Sequence, residues 1–345
     1  MRFARAAAVY PAALIVLVGW TAVLPARAGP LALAGILLPH LCLAALVLVP
    51  VVLVWRDRAL VIALGVLAVV VGLRFGPEWT SFPDAPAEGD LLRVVTWNLG
   101  RRGHAASAPV IDALLAEHAD VVALQELKPG IAAALEADPR ARAAWPYRHL
   151  APDPHVVGMG LLSSLPLEAS ASFEDPVGIE ARVSLGAVGG MLVVINAHPS
   201  PGRLHTLPGG LPVDYDSAPR DAAITRLRAR IDAHIVEGAD LLVLGDFNVA
   251  PTEPGYRLLT TGLSDAHALA GTGPGWTWRP YSLVGLGLGL LRIDYVLGGP
   301  GVHPVGTRVR CEYVGDHCLV AATVEVRVPQ RAVTTPTTPS DPGTP

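Results

Sequence analysis

Cysteine is scarce in this 345-residue chain: there are three, and no two form a C-x-x-C clamp. That argues against a structural zinc site, which depends on such paired thiolates. Charge is thin as well, at 16% of residues. A basic excess is missing. Between residues 91 and 327, 19 Lys and Arg face 24 Asp and Glu, a net of −5. Strong nonspecific nucleic-acid binders carry a basic face. This chain advertises none, although local Arg clusters remain able to line a groove. No internal repeat is visible either, so the solenoid signature is lacking.

What the chain has in excess is apolar length near its start. Mean hydropathy is +0.44, and three apolar stretches, 6–26, 29–54 and 59–73, account for it. The first two meet the roughly 20 residues a spanning helix needs, and the third is on the short side. Little polar material accompanies them, which disfavours buried helices of a soluble core. Arg2 and Arg5 precede the first stretch, Arg56 and Arg58 separate the second and third, and Arg27 stands alone between the first and second. The positive-inside rule then puts the N-terminus and the 55–58 loop in the cytoplasm, and everything after Leu73 outside. A cleavable signal peptide ending at Ala26-Arg27-Ala28 fits the first stretch equally, with the same side for the rest. The expectation is a multi-pass cell-membrane protein with an extracytoplasmic domain and the lipid bilayer as a partner.

Residues 76–90, rich in Pro, Gly and acids, read as a linker, and 91–327 as one folded domain. The Pro/Thr-rich tail, 328–345, has no apolar period and is expected to be disordered. Strand-like runs cover 91–97, 121–124, 159–162, 179–185, 191–196, 240–244, 292–297, 302–309 and 319–326. Helical spacing marks 109–118 and 220–236, the latter through Ile224, Leu227, Ile231 and Ile235 after Ser217 and Pro219. Strands and helices mix without strict βαβ alternation. The fold class is therefore α/β: two packed, mainly antiparallel sheets flanked by helices. Residues 199–218 read as a long Gly/Pro-rich loop, a kind that tends to be functional. Cys42 lies in an apolar stretch as a packing residue. Cys311 and Cys318 flank Gly315-Asp316-His317 and face an oxidising compartment, where a bridge and two free thiols are both open.

The chemistry sits at strand ends. Gly245-Asp246-Phe247-Asn248 follows the apolar run 240–244, similar polar clusters follow strand-like runs at Trp97-Asn98, Gln125-Glu126, Asn196-Ala197-His198 and Asp316-His317, and Arg292-Ile293-Asp294 sits inside one. Glu126 is a hard oxygen ligand suited to Mg²⁺ or Mn²⁺. Asp246 and Asn248 are two apart, so an extended segment points both the same way. Trp276 and Trp278 are expected to pack under the site. His104, His118, His149, His155, His205, His234, His267 and His303 lack catalytic context and read as surface or loop residues.

Together with Thr277-Trp278 and Tyr295, these motifs make residues 91–326 resemble the endonuclease/exonuclease/phosphatase superfamily. The resemblance implies a four-layer α/β sandwich with its site at one edge of both sheets. It also implies a metal-dependent phosphoesterase. Glu126, helped by Asn98 and Asp316, would hold the metal. Asp246 would position or deprotonate the attacking water, and Asn248 would donate to a phosphate oxygen. His317, held by Asp294, would sit beside the phosphate as base or clamp. His198 would give a phosphate hydrogen bond, although no acid partner for it can be placed from sequence. Arg220 is expected to be structural. The substrate would be a phosphodiester, extracellular nucleic acid slightly ahead of a phospholipid headgroup. The apolar run 283–291 keeps the lipid option close, being folded over the core or dipped into lipid. A non-catalytic membrane-linked binding protein is the alternative of another class.

Overall fold

The computed structural model describes residues 6–81, 90–100, 107–186, 190–280, 289–311 and 315–326. The tail 328–345, most of the apolar run 283–291, His104, Arg2 and Arg5 lie outside the described residues.

Two six-stranded sheets make the large domain. The first orders β13 (Val302–Arg310), β14 (Leu319–Val326), β1 (Asp90–Asn98), β2 (Val121–Gln125), β4 (Met159–Ser163) and β3 (Tyr147–Ala151). The second orders β11 (Ser264–Asp265), β12 (Asp294–Gly298), β10 (Asp240–Asp246), β7 (Met191–His198), β6 (Val177–Ser184) and β5 (Leu167–Glu174). Each sheet has one parallel pair, β1 with β2 and β10 with β7, among antiparallel neighbours. Alternate residues of the central strands face each other: Val94, Val121 and Leu161 from one sheet meet Val194, Leu242 and Val296 from the other.

Helices cover both outer faces. Val95, Val122 and Leu162 pack on Ile111, Leu114, Ile131 and Leu135 of α6 (Ser107–Ala116) and α7 (Pro129–Ala137). On the other side, Ile224, Leu227 and Ile231 of α9 (Ala218–Val236) cover Val193, Ile195 and Val243. Fully burying one such side chain is worth roughly 1.5–3 kcal/mol. The result is a helix–sheet–sheet–helix sandwich. Short α8 (Pro139–Ala144), α10 (Pro254–Thr260) and α11 (Ala266–Ala270) complete it.

The expected long loop at 199–218 is not irregular. It contains a hairpin of β8 (Arg203–Thr206) and β9 (Pro212–Asp216), turning through Gly209 and Gly210 at φ 95° and 83°. Both glycines occupy the positive-φ region that side chains disfavour.

The apolar first quarter forms α1 (Val9–Val23), α2 (Pro30–Ile36), α3 (Leu38–Ala44), a 3₁₀ turn (Ala45–Leu48), α4 (Val49–Trp55) and α5 (Arg58–Trp79). The single second stretch is broken because Pro30, Pro39 and Pro50 each open a new helical piece. Asp57 caps α5 by accepting from the amides of Ala59 and Leu60. That helix runs to Trp79, so the start of the expected 76–90 linker is helical. Leu38–Trp55 and Arg58–Trp79 are long and apolar enough to cross a membrane, while α1 is shorter at 15 residues.

The helices form a seat for the domain. Thr80 bridges Thr272, and Gly273 donates to the Trp79 carbonyl at 2.8 Å. His40 reaches the Leu290 carbonyl at 2.6 Å and packs against the Trp276 ring at 4.4 Å. Trp276 therefore faces the helices, rather than lying under the site as expected.

Candidate active site

Strand direction explains why distant residues meet. β1, β2, β7 and β10 end at Asn98, Gln125, His198 and Asp246, with Glu126 one residue past β2. β12 runs antiparallel to β10 in a register that pairs Asp246 with Asp294, the first residue of β12. His317 lies just before β14, which is antiparallel to β1. All these positions fall at one edge of the sandwich.

Asp246 is the hub. Its Oδ2 accepts from Asn98 Nδ2 at 2.9 Å and lies 3.5 Å from His198 Nε2 and 3.7 Å from His317 Nε2. His317 Nδ1 faces both oxygens of Asp294 at 3.1 and 3.2 Å. Asn98 Nδ2 also comes within 3.4 Å of Glu126 Oε1, while its oxygen accepts from the Gly100 amide. The acid near His198, which sequence could not place, is thus Asp246. Asn248 is turned rather than extended. Its φ is +52°, its amide donates to Asp246 Oδ1 at 2.9 Å, and its Nδ2 donates to the Pro199 carbonyl. The side chain swings toward the His198 side instead of running parallel to Asp246. Glu126 also has φ +52°. Of the four non-glycine residues at positive φ among the described residues, these two lie at the site and mark backbone strain there, while Arg56 and His118 lie away from it.

Burial sets the electrostatics. It pulls the His317 imidazole down, but the carboxylates of Asp294 and Asp246 outweigh it and push it up to about 10. His198 follows the same contest: burial lowers it, and Asp246 with Glu126 raises it above the usual imidazole value. Burial raises Asp246, yet His317, His198 and Asn98 together hold it below the ordinary carboxylate range. Asp294 goes the other way, lifted first by burial and then by Asp246, with His317 opposing. The arrangement favours an ionised Asp246 beside a cationic His317 and a His198 whose protonated form is favoured.

Unpartnered atoms show where a ligand fits. Glu126 Oε2, Asp316 Oδ1 and His198 Nδ1 are buried with no hydrogen-bond partner among the described residues. The two oxygens suit a hard divalent cation, which keeps several waters and takes few carboxylates. Asp246, Asp294 and His317 also bring ligand atoms within 4.8 Å of one another. His317 would bind there through Nε2 with Nδ1 held by Asp294, an arrangement common among ligating histidines, but only after losing the proton that the two carboxylates favour. Glu126 Oε2, beside Asn98, is a further candidate ligand atom. Asp316 makes no hydrogen bond or ion pair with Glu126 among the described residues; its backbone oxygen accepts from Arg279.

Residues that sequence reading gave no role hold the frame. Gln125 Nε2 donates to Asn196 Oδ1 at 2.7 Å, and Asn196 Nδ2 donates to the carbonyls of Leu124 and Gly160. This buried cross-sheet link lies directly behind Glu126 and His198. Thr277 Oγ accepts from the amides of Ile293 and Asp294 at 3.1 Å each. Gly245 lets β10 approach β7, for a Cβ there would sit 2.0 Å from the Ala197 carbonyl. Arg220 is buried and structural, as expected. It binds Tyr215, Glu253, Asp221 and the Asn248 carbonyl. Polar strand-end residues other than the obvious carboxylates and histidines were the available signal. Cys311 and Cys318 are disulfide-bonded, which closes the turn bearing Asp316 and His317. Two histidines expected at the surface are buried: His234, 3.1 Å from Glu180, and His267, bonded to the Gly273 carbonyl.

Fold and site together define a hydrolase acting on phosphoester bonds. The model of the endonuclease/exonuclease/phosphatase family matches residues 95–341, and the chain belongs to that family. Among solved structures, it is similar to the 3′ phosphatase NExo from Neisseria bound to a product DNA hairpin. Identity is 22%, covering 67% of this chain and 98% of that one, with a TM-score of 0.52. An endonuclease/exonuclease/phosphatase from Bacteroides vulgatus is 18% identical over 69% and 100% of the chains, with a TM-score of 0.53. The D. rerio TDP2 complex with a single-stranded DNA product is 19% identical over 69% and 100%, at 0.52. At these identities the likeness concerns the fold. A search of curated proteins finds no match.

Proposed function

We propose that this protein is a membrane-anchored phosphodiesterase that uses Mg²⁺ or Mn²⁺ and works outside the cytoplasm. The observation that carries the catalytic reading is the convergence of Asp246, His198 and His317 beside the uncommitted oxygen of Glu126. Glu126, with Asn98 and Asp316 nearby in the motif set, would hold the cation. When bound, the cation neutralises charge on the phosphate oxygens.

The residues divide the remaining work. Asp246, held ionised, orients the attacking water and takes its proton. His317 is cationic at neutral pH, so it clamps the phosphate instead of acting as a base. Asp294 fixes its ring. His198 presents an unpartnered Nδ1, and Asn248 spends one amide hydrogen on Pro199, leaving the second for a phosphate oxygen. Donors fixed before the reaction stabilise developing charge without reorganising.

Anchoring is supported by the two long apolar helices and by exposed Val47, Leu53, Val54 and Leu73. Bare apolar side chains on this scale need a cover that water does not provide. Arg56 and Arg58 at the turn between those helices support a cytoplasmic turn and a domain on the opposite side. Relatives named for DNA products favour nucleic acid as substrate, while the domain's seat on the span ends favours a phospholipid headgroup.

The test is release of p-nitrophenol from bis-p-nitrophenyl phosphate by the detergent-solubilised protein. Release should need divalent metal, stop with chelator, and be lost in Glu126→Ala and His317→Ala. Metal-independent release, or variants equal to wild type, would leave the non-catalytic reading standing. Turnover of DNA should fall steeply with salt, and turnover of lipid much less.

A further inference from the structure

The β8–β9 hairpin begins five residues after His198 and returns into α9 just before Arg220. Its outer part is built unlike a solvent-exposed loop. Residues 204–213 contain no Asp, Glu, Lys or Arg. Leu204, Leu207 and Leu211 are 54%, 50% and 63% exposed. The backbone at the tip is nevertheless paired, since Leu207 donates to the Leu211 carbonyl and Gly210 to the Leu207 carbonyl. A closed tip with bare leucines suits an apolar medium, where unpaired backbone groups are costly.

The base of this hairpin is fastened to the membrane helices. Gly29 donates to the Tyr215 carbonyl at 3.0 Å, and Ser217 donates to the Arg27 carbonyl at 2.8 Å. Ala28 pairs with Asp216 in an antiparallel bridge. Antiparallel pairing means that the chain leaving Ala28 into α2 runs in the same sense as β9 traced back to its tip. Tyr215 packs on Ala32 and Ile36 of α2. The tip therefore extends alongside the start of the second apolar stretch, in which Leu31 is also exposed.

We propose that the β8–β9 hairpin inserts into the outer leaflet through Leu204, Leu207 and Leu211, holding the His198 side of the site at headgroup level. This rests on the membrane-anchored reading of the protein, not on its catalytic reading. Because Asn248 bonds the Pro199 carbonyl, the inserted hairpin would fix both phosphate-side residues against the bilayer surface.

The full chain, reconstituted in phosphatidylcholine nanodiscs on a Cys42→Ala background, carries one labelled cysteine at a time. The positions are Leu207→Cys, Val66→Cys on an exposed face of α5, and Glu168→Cys on exposed β5. A nitroxide-bearing lipid should quench the fluorophore at 207 and at 66, and iodide should quench only the one at 168. A label at 207 that behaves like the one at 168, while 66 is quenched by lipid, overturns the hairpin's insertion. Iodide access at 66 as well overturns the anchoring itself, and the inference with it. Neither readout involves hydrolysis, so a failed activity assay leaves this result intact.

Discussion

Two buried charged clusters lie side by side in this domain, joined at Asn248, and they are built on opposite principles. Around Arg220 every guanidinium nitrogen has a partner: Asp221 takes Nε and Nη2, while Tyr215, Glu253 and the Asn248 carbonyl take Nη1. Around Asp246, polar atoms are left over. Glu126 Oε2 and His198 Nδ1 face no partner among the described residues, and Glu126 and Asn248 sit at φ +52°. A closed cluster holds structure, whereas an open and strained one is poised for a ligand. The difference teaches that burial of charge alone does not mark a catalytic site. Unpartnered atoms gathered with carboxylates and imidazoles at one strand edge are the stronger sign, since isolated ones also occur at Thr252 and His267.

Breaking the open cluster should cost rate and leave the fold. Asp246→Asn is expected to lower kcat by roughly 10²–10⁴-fold with a small change in melting temperature, followed by steady-state kinetics and calorimetry. Breaking the closed one should do the reverse. Arg220→Met leaves Asp221 and Glu253 buried without their cation and is expected to cost about 3–5 kcal/mol, read from denaturant unfolding. Equal effects of these two variants on rate and on stability would erase the contrast.

A third prediction concerns pH in the chelated protein. The folded His317 value, about 10, lies above the unfolded imidazole value of about 6.5. Its stabilisation is therefore complete below the unfolded value and lost as pH rises through the folded one. Melting temperature should decline between those limits, and His317→Gln should flatten the decline. The smallest effect is expected from Cys318→Ser. Opening a bridge of sequence separation 7 removes about 2–3 kcal/mol by loop entropy, with Asp316 and His317 loosened more than the core. Hydrogen exchange confined to that turn would sharpen the comparison.

Much of the domain was legible because its strands are apolar runs with polar ends. β1, β7, β10 and β14 all fall where hydrophobicity put them, within a residue or two. β5 was missed since Leu167–Glu174 is mostly Ala, Ser and Glu and largely exposed, so no apolar alternation marks it. The β8–β9 hairpin was read as a loop because its Gly and Pro content hides two short strands. The short helices α7 and α8 each start at a proline and span under three turns, too little for a period to show. In the site, carboxylates and histidines were visible as residue types. Gln125, Asn196 and Thr277 were visible only as motif letters, because their work is to bond across sheets.

By itself the sequence determined which polar groups stand at the strand ends, and in what order, because alternating apolar runs leave few other places for them. It also determined that the first quarter is too apolar to be bare in water. Only the tertiary structure decided which of those groups meet. Parallel pairs in both sheets bring the ends of β1, β2, β7 and β10 to one edge, and the β10–β12 register sets Asp294 opposite Asp246. Side-chain convergence of that kind depends on strand direction and register, which no local stretch of residues encodes.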